Sequence, residues 1–233
     1  MVNYLKYLIL IIFLSIISFK SFYNIRDILI RIVSNVISYE ENQYKRNLNL
    51  IYKYGVEVER LKSVEYLFIG DSHFVKMFSQ ISFPINYLDI SISGETTRGL
   101  LCRFDQNIRN LQYNKVIILL GYNDLKHRGV SEIISNYKTL ISKLSCNDIY
   151  LVSLLPVDHK RSIINRKIKE INYFLQKYSF PSKRLHYLNI YERLLNDKKN
   201  GISSQLCVDG THLTAKGNVI LSNSILETLP RQN

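Results

Sequence analysis

The chain has no tryptophan, only three cysteines and only nine glycines in 233 residues. An odd cysteine count with no close pair excludes a disulfide framework and the paired spacing of a zinc site. Cys102, Cys146 and Cys207 are therefore expected to be small buried apolar residues. There is no His-Glu-x-x-His, no Cys-x-x-Cys and no carboxylate cluster, so a resident metal is not expected. Neither standard Gly-rich phosphate loop occurs. Basic residues interleaved with aromatics in a nucleic-acid-binding pattern are missing too, which argues against a nucleic-acid partner.

Glycine is rare against an average usage of roughly 7%. Four of the nine, Gly70, Gly94, Gly121 and Gly210, fall inside four short motifs. A chain that avoids glycine yet keeps it there needs tight turns or close backbone approach at those points. In order, the motifs are Gly70-Asp71-Ser72-His73, Ser93-Gly94-Glu95-Thr96, Gly121-Tyr122-Asn123-Asp124 and Asp209-Gly210-Thr211-His212.

Composition otherwise fits a globular protein, with 46% hydrophobic and 21% charged residues. The formal net charge is +12. Such a charge can draw a protein to an acidic membrane or polymer. Here the basic residues are spread out, and the densest stretch, residues 160–184, has helical spacing, so a solvated outer face is the simpler reading.

The N-terminus is a separate matter. Residues 7–19 are an unbroken run of apolar residues and serine. As a helix, residues 4–19 would span about 24 Å, a little short of a ~30 Å hydrocarbon core. Lys6 could snorkel to the interface and help close the gap. No small-x-small cleavage site follows, so residues 1–21 are expected to be a single-pass anchor or uncleaved signal rather than a removed leader. A helix buried in the globular domain is the plainer alternative. Lys6 lies on one side of the run, and Lys20, Arg26 and Arg31 on the other, so charge does not favour export. Over residues 22–60, Phe22, Ile25, Leu29, Ile32, Val33, Val36 and Ile37 recur at three- and four-residue steps, the pattern of an amphipathic helical stalk or linker.

Residues 61–233 carry a different rhythm. Short apolar runs at 64–69, 85–92, 115–120, 149–155 and 185–190 alternate with helical patterns at 97–111, 131–144, 161–178 and 215–229. Alternation of this kind predicts an α/β domain with a parallel sheet. The continuous apolar run at 115–120 suits a central strand buried on both faces. Ligands of such sheets bind beyond the carboxyl ends of the strands. Three motifs sit at predicted strand ends and the fourth precedes the last helix, so all four could meet on one edge.

Each motif has a bland and a chemical reading. Ser72 alone reads more readily as a helix cap than as a nucleophile, and it is the other motifs that make it the nucleophile. A serine hydroxyl needs a base to take its proton. His212 supplies one, and Asp209, three residues before it, could orient the imidazole in the manner of a Ser-His-Asp triad. Gly94 offers a backbone N–H with no side chain in the way, Asn123 a side-chain amide, and Ser72 its own N–H, which together could form an oxyanion hole. Asp124 is expected to brace the Asn123 loop. His73 is expected to wall the pocket, and His127 and His186 to be surface or packing residues. Asp158 and His159 are adjacent, but neighbours in an extended segment point opposite ways.

These blocks, over residues 63–229, resemble the SGNH hydrolases, also called GDSL esterases/lipases. His73 departs from the leucine frequent at its place. Leu213-Thr214-Ala215-Lys216-Gly217 also resembles the family's helix start after the histidine. The resemblance implies a flavodoxin-like three-layer sandwich of about five parallel strands and no cofactor. It also implies the roles just given for Ser72, Gly94, Asn123, Asp209 and His212. Members with an N-terminal apolar segment commonly carry export signals, which implies an outward-facing domain. The expected activity is a serine ester hydrolase acting on short acyl groups, such as acetyl esters of a surface glycan. Alternatives are an O-acyltransferase onto a glycan, a lysophospholipase or thioesterase acting on lipid, and a non-enzymatic scaffold.

Overall fold

The computed structural model describes residues 63–230. The expected anchor over residues 1–21 and stalk over 22–60 lie outside them. Among the described residues no helix is long and apolar enough to cross a membrane.

Five strands form one parallel sheet: β1 Val64–Gly70, β2 Tyr87–Asp89, β3 Tyr113–Leu119, β4 Asp148–Val152 and β5 Leu185–Leu188. Their spatial order is β2-β1-β3-β4-β5. The chain reverses its direction of travel across the sheet between β1 and β3, where the crevice of such a sheet opens. The β1–β3 register pairs Leu67 with Val116 and Gly70 with Leu119. Residues Val116 to Leu120 are buried, as the continuous apolar run requires of a strand covered on both faces.

The helices are α1 Ser72–Phe78, α2 Thr97–Asn107, α3 Val130–Lys143, α4 Ser162–Ser179 and α5 Ala215–Thr228. α1 packs with α5, while α2 packs with α3 and α3 with α4. The α/β arrangement is the expected one, and four helices match the periodic stretches to within a few residues. On α4, Asn165, Ile168, Ile171, Asn172 and Leu175 face inward and Arg166, Lys169 and Lys177 face solvent, so much of the densest basic stretch is a solvated face.

Two expectations need correction. The run over residues 72–78 is too short to show a helical period and predicts no helix, yet α1 forms there. Asp71, not Ser72, is its cap, accepting a hydrogen bond from the His73 N–H. β2 is shorter than the alternation over 85–92 suggests. It is an edge strand, although Ile90 and Ile92 still donate to the Phe68 and Gly70 carbonyls at 3.0 Å.

Candidate active site

β1 delivers the chain to Gly70, and the turn that follows is locked from both sides. A Cβ on Gly70 would sit 2.5 Å from Phe74 Cδ2 and 3.0 Å from the Leu119 carbonyl oxygen, so only glycine lets α1 fold so closely over β3. Phe74 and Met77 are fully buried, and Phe74 meets Phe68 edge-on at 5.4 Å. This packing fixes the first residue of α1, Ser72. Its N–H has no partner inside the helix, as for any first-turn residue.

The loop before α5 is built by short-range bonds. Val208 N–H donates to the His212 carbonyl at 2.8 Å and Thr214 N–H to the Leu206 carbonyl at 3.0 Å. Asp209 Oδ1 accepts from the N–H groups of Thr211 (3.0 Å) and His212 (2.8 Å). Its Oδ2 lies 2.6 Å from His212 Nδ1. Partial burial works against the charge on Asp209, but the donated hydrogen bonds from His212 and Thr211 outweigh it and hold the carboxyl well below the usual carboxylate range.

These loops meet. Ser72 Oγ lies 3.0 Å from His212 Nε2. With the Nδ1 proton donated to Asp209, Nε2 is free to accept the serine proton. Serine, histidine and aspartate, 140 residues apart at the widest, thus form one hydrogen-bonded chain.

Asn123 is buried at the head of a 3-10 turn, Asn123–Lys126, just past β3. Its amide donates to the Glu95 carbonyl at 3.1 Å and to Asp71 Oδ2 at 3.3 Å. Gly94, one residue before Glu95, has φ +81°, a left-handed conformation open to glycine without strain. The loops after β1, β2 and β3 therefore converge on one asparagine side chain. Asp124 is fully buried and accepts from Thr97 N–H (2.9 Å) and Thr97 Oγ1 (2.7 Å), tying the 3-10 turn to the start of α2. Burial pushes its carboxyl up, against the pull of Thr97 and Arg128. Glu95 is held by Arg103 at 2.8 Å, and Arg103 also donates to the Ile90 carbonyl.

Other expectations change in detail. His73 is not an open wall: it is 5% exposed, with Nδ1 2.8 Å from Asp71 Oδ1 and Nε2 3.2 Å from the Thr211 carbonyl. Asp158 and His159 do not diverge, because the chain enters a 3-10 turn there, and His159 Nδ1 comes within 3.3 Å of Asp158 Oδ1. His186, which bonds Asp148 at 2.7 Å and stacks on Tyr150, and His127, which is exposed, are packing and surface residues as expected. Cys102 is exposed, because it lies on the outer side of α2, while Cys146 and Cys207 are half-buried.

Pattern reading passed over one group of residues. Arg161 donates to Thr211 Oγ1 at 2.8 Å and to the Tyr122 hydroxyl at 3.2 Å, and those two oxygens are 3.0 Å apart. The triangle braces the loop one residue from His212, and an arginine at a helix entry carries no sequence signal of such a role. Among the described residues no cluster of His, Cys, Asp and Glu is placed to hold a metal ion. A surface cleft of about 450 Å³ lined by Ile141, Tyr178, Pro181, Ser182, Arg184 and Leu185 lies by the amino end of β5, at the opposite edge of the sheet.

Comparison with known proteins bears on the family and the fold. The model of the GDSL-like Lipase/Acylhydrolase family matches residues 70–220. No curated protein matches the chain in sequence. Among solved structures, the fold is similar to a protein described as a platelet activating factor from Streptococcus pneumonia. That match has TM-score 0.69 and 24% identity, and covers 84% of this chain and 98% of that one. It is also similar to a GDSL-like lipase of Bacteroides thetaiotaomicron (TM-score 0.63, 20% identity, 76% and 95% covered). A third is an acetylxylan esterase of Geobacillus stearothermophilus (TM-score 0.59, 17% identity, 72% and 95% covered). The chain belongs to the GDSL-like Lipase/Acylhydrolase family and is a hydrolase of ester bonds.

Proposed function

We propose that the chain is a serine hydrolase that removes short acyl groups, acetyl above all, from a polar alcohol such as a sugar. Ser72 Oγ attacks the acyl carbon while His212 Nε2 takes its proton. Asp209 holds the Nδ1 proton and offsets the positive charge that forms on the ring. The carbonyl oxygen becomes an oxyanion that accepts from the N–H groups of Gly94 and Ser72 and from the Asn123 amide. Both Asn123 protons are engaged before substrate arrives, so the long 3.3 Å bond to Asp71 is the one exchanged for the oxyanion. His212 then protonates the leaving alkoxide, and the alcohol departs. Water attacks the acyl-enzyme, giving its proton to His212, and the C–O bond to Ser72 breaks with return of that proton to Oγ.

The observation that carries this reading is the 3.0 Å approach of Ser72 Oγ to His212 Nε2. The choice of a polar alcohol rests on the surroundings. The side chains of His212 and Asp209 are 27% and 50% exposed, so the site lies at the surface, and Tyr122, Thr211 and Arg161 place polar groups beside it. Similarity in fold to an acetylxylan esterase is consistent with this choice.

The test is a series of p-nitrophenyl esters of increasing acyl length, with Ser72→Ala as control and a fluorophosphonate probe as label. Acetate is expected to be the best substrate, and only chains with Ser72 should be labelled. A rate that climbs with chain length would favour lipid instead. Transfer of acetyl onto an added glycan faster than onto water would favour the acyltransferase. From the N-terminal apolar run we further propose a membrane anchor with the catalytic domain outside the cytoplasm. Full protection of that domain from protease added to intact cells would exclude it.

A further inference from the structure

His73 sits between two acceptors. Its Nδ1 is 2.8 Å from Asp71 Oδ1, and its Nε2 is 3.2 Å from the Thr211 carbonyl oxygen. A carbonyl oxygen accepts only, and so does an ionised carboxylate. The Asp71 oxygens act as acceptors elsewhere too, receiving the His73 backbone N–H at 3.0 Å and the Asn123 amide at 3.3 Å. A neutral imidazole carries one ring proton and would turn a lone pair onto one of those oxygens. Only the doubly protonated ring satisfies both contacts.

The two contacts bridge the site. Asp71 caps α1 after β1 and Ser72 opens that helix, whereas Thr211 precedes His212 in the loop before α5. We propose that His73 is a positioning residue: a buried imidazolium whose two ring protons bind Asp71 and the Thr211 carbonyl together, and so set His212 against Ser72. The proposal rests on the Ser72–His212 reading above. The bulk of the ring adds to the fit, lying 5.8 Å from the His212 ring and edge-on to Tyr122 at 6.2 Å.

The groups facing the ring are few. Asp71 comes from the turn, Lys76 from α1 itself, His212 with Asp209 behind it from the loop before α5, and Tyr122 from the loop after β3. Arg161 stands beyond Tyr122, bonded to its hydroxyl. Burial of the ring opposes its charge, but the Asp71 carboxylate and the Thr211 carbonyl outweigh burial and Lys76, and raise the pKa above the ordinary histidine value. Loss of the Nε2 proton would set a lone pair against the Thr211 carbonyl and release the loop that carries His212.

Two measurements test the proposal. Histidine-ring ¹⁵N NMR on the full-length chain at about pH 7.5, one unit above the ordinary histidine value, needs no catalysis. His73, assigned by its absence in His73→Gln, is expected to carry protons on both ring nitrogens. An unprotonated ring nitrogen at that pH overturns the proposal. Kinetics on the acetyl ester are the second. His73→Leu should lose about 10- to 100-fold in kcat, as a misplaced base does, with KM within about twofold. His73→Gln keeps a donor for the Thr211 carbonyl, so it should restore most of kcat and lose the alkaline fall in kcat/KM that the titrating ring imposes. If His73→Leu does not fold, the glutamine variant and the NMR decide. A folded His73→Leu with wild-type kcat and an unchanged pH profile overturns this proposal alone. A wild-type chain whose Ser72 takes no fluorophosphonate overturns it together with the serine reading.

Discussion

The Asn123 amide donates to the Glu95 carbonyl at 3.1 Å, joining the loop after β3 to the loop after β2. One side chain therefore does two jobs. It ties the loop of Gly94 and Glu95 to the turn of Asp71, and in the proposed mechanism it also donates to the oxyanion. Asn123→Ala should lower kcat by about 10²- to 10³-fold, the usual effect of removing one oxyanion donor. Asn123→Asp should be at least as poor, because a carboxylate would face both Asp71 and the oxyanion. Steady-state rates on an acetyl ester, with folding checked by circular dichroism, give the answer. An alanine variant within threefold of wild type would remove Asn123 from the mechanism.

Asp209 leads to a pH prediction. Its carboxyl is held below the usual range by bonds from His212 and Thr211. A depressed acid contributes stability that is complete above its unfolded value, about 3.9, and is lost as pH falls through the folded value. His73 acts in the opposite sense. Its raised value means a contribution complete below about 6.5 and lost as pH rises through the folded value. Thermal midpoints should thus decline at both ends. Asp209→Asn should flatten the acid decline and His73→Gln the alkaline one. Asp209→Asn should also cost about 10²- to 10⁴-fold in kcat, the upper end being the effect seen for buried triad aspartates. A midpoint curve unchanged by either substitution would contradict these assignments.

The loop between β4 and α4 depends on two buried asparagines. Asn172 accepts from Leu154 N–H at 2.7 Å and donates to the Leu154 carbonyl at 2.9 Å. Asn165 does the same for Val157, at 3.0 Å each. They bind backbone groups just past the end of β4, beyond the paired strand residues. The segment matters because Asp158 N–H donates to the Gly210 carbonyl at 2.9 Å, inside the loop of Asp209 and His212. Asn172→Leu would leave two buried backbone groups without partners and should destabilise by about 2–4 kcal/mol. Chemical denaturation would measure it, and a loss under about 0.5 kcal/mol would mean that water replaces the amide.

How much of this was legible beforehand follows from the range of each interaction. Period-3.6 and continuous apolar patterns marked four helices and β3, because burial of one face is written into consecutive residues. Ser72, Gly94, Asn123, Asp209 and His212 stood out through motif spacing. α1 leaves no such trace, since seven residues make barely two turns and its Phe74 and Phe78 pack on Phe68, Phe83 and Tyr87 from outside the helix. The bridge from His73 to Thr211 spans 138 residues, and that from Arg161 to Thr211 spans 50. Contacts at such separations leave no periodic trace. His73 reads from the sequence as a wall of the pocket and a departure from the family's frequent leucine, with no sign of its contacts to Asp71 and the Thr211 carbonyl.

Gly70 gives the most direct test of how packing behind the site sets its chemistry. A methyl group there meets the Phe74 ring at 2.5 Å and the Leu119 carbonyl at 3.0 Å. The backbone oxygen cannot move without opening the β1–β3 ladder, in which Gly70 pairs with Leu119. The ring cannot easily yield either, because Phe68 and Phe78 hold it edge-on at 5.4 Å and 6.2 Å. The strain must pass into α1, whose first residue is Ser72. Gly70→Ala should therefore destabilise by about 1–3 kcal/mol, the range for overpacking a core. It should also slow labelling of Ser72 by a fluorophosphonate about tenfold or more, since a small displacement of a reacting atom is costly. Phe74→Leu, combined with Gly70→Ala, removes the ring that the methyl strikes. Recovery of the labelling rate in the double variant, even with some stability lost, would trace the defect to this contact. No recovery would place it at the Leu119 carbonyl instead.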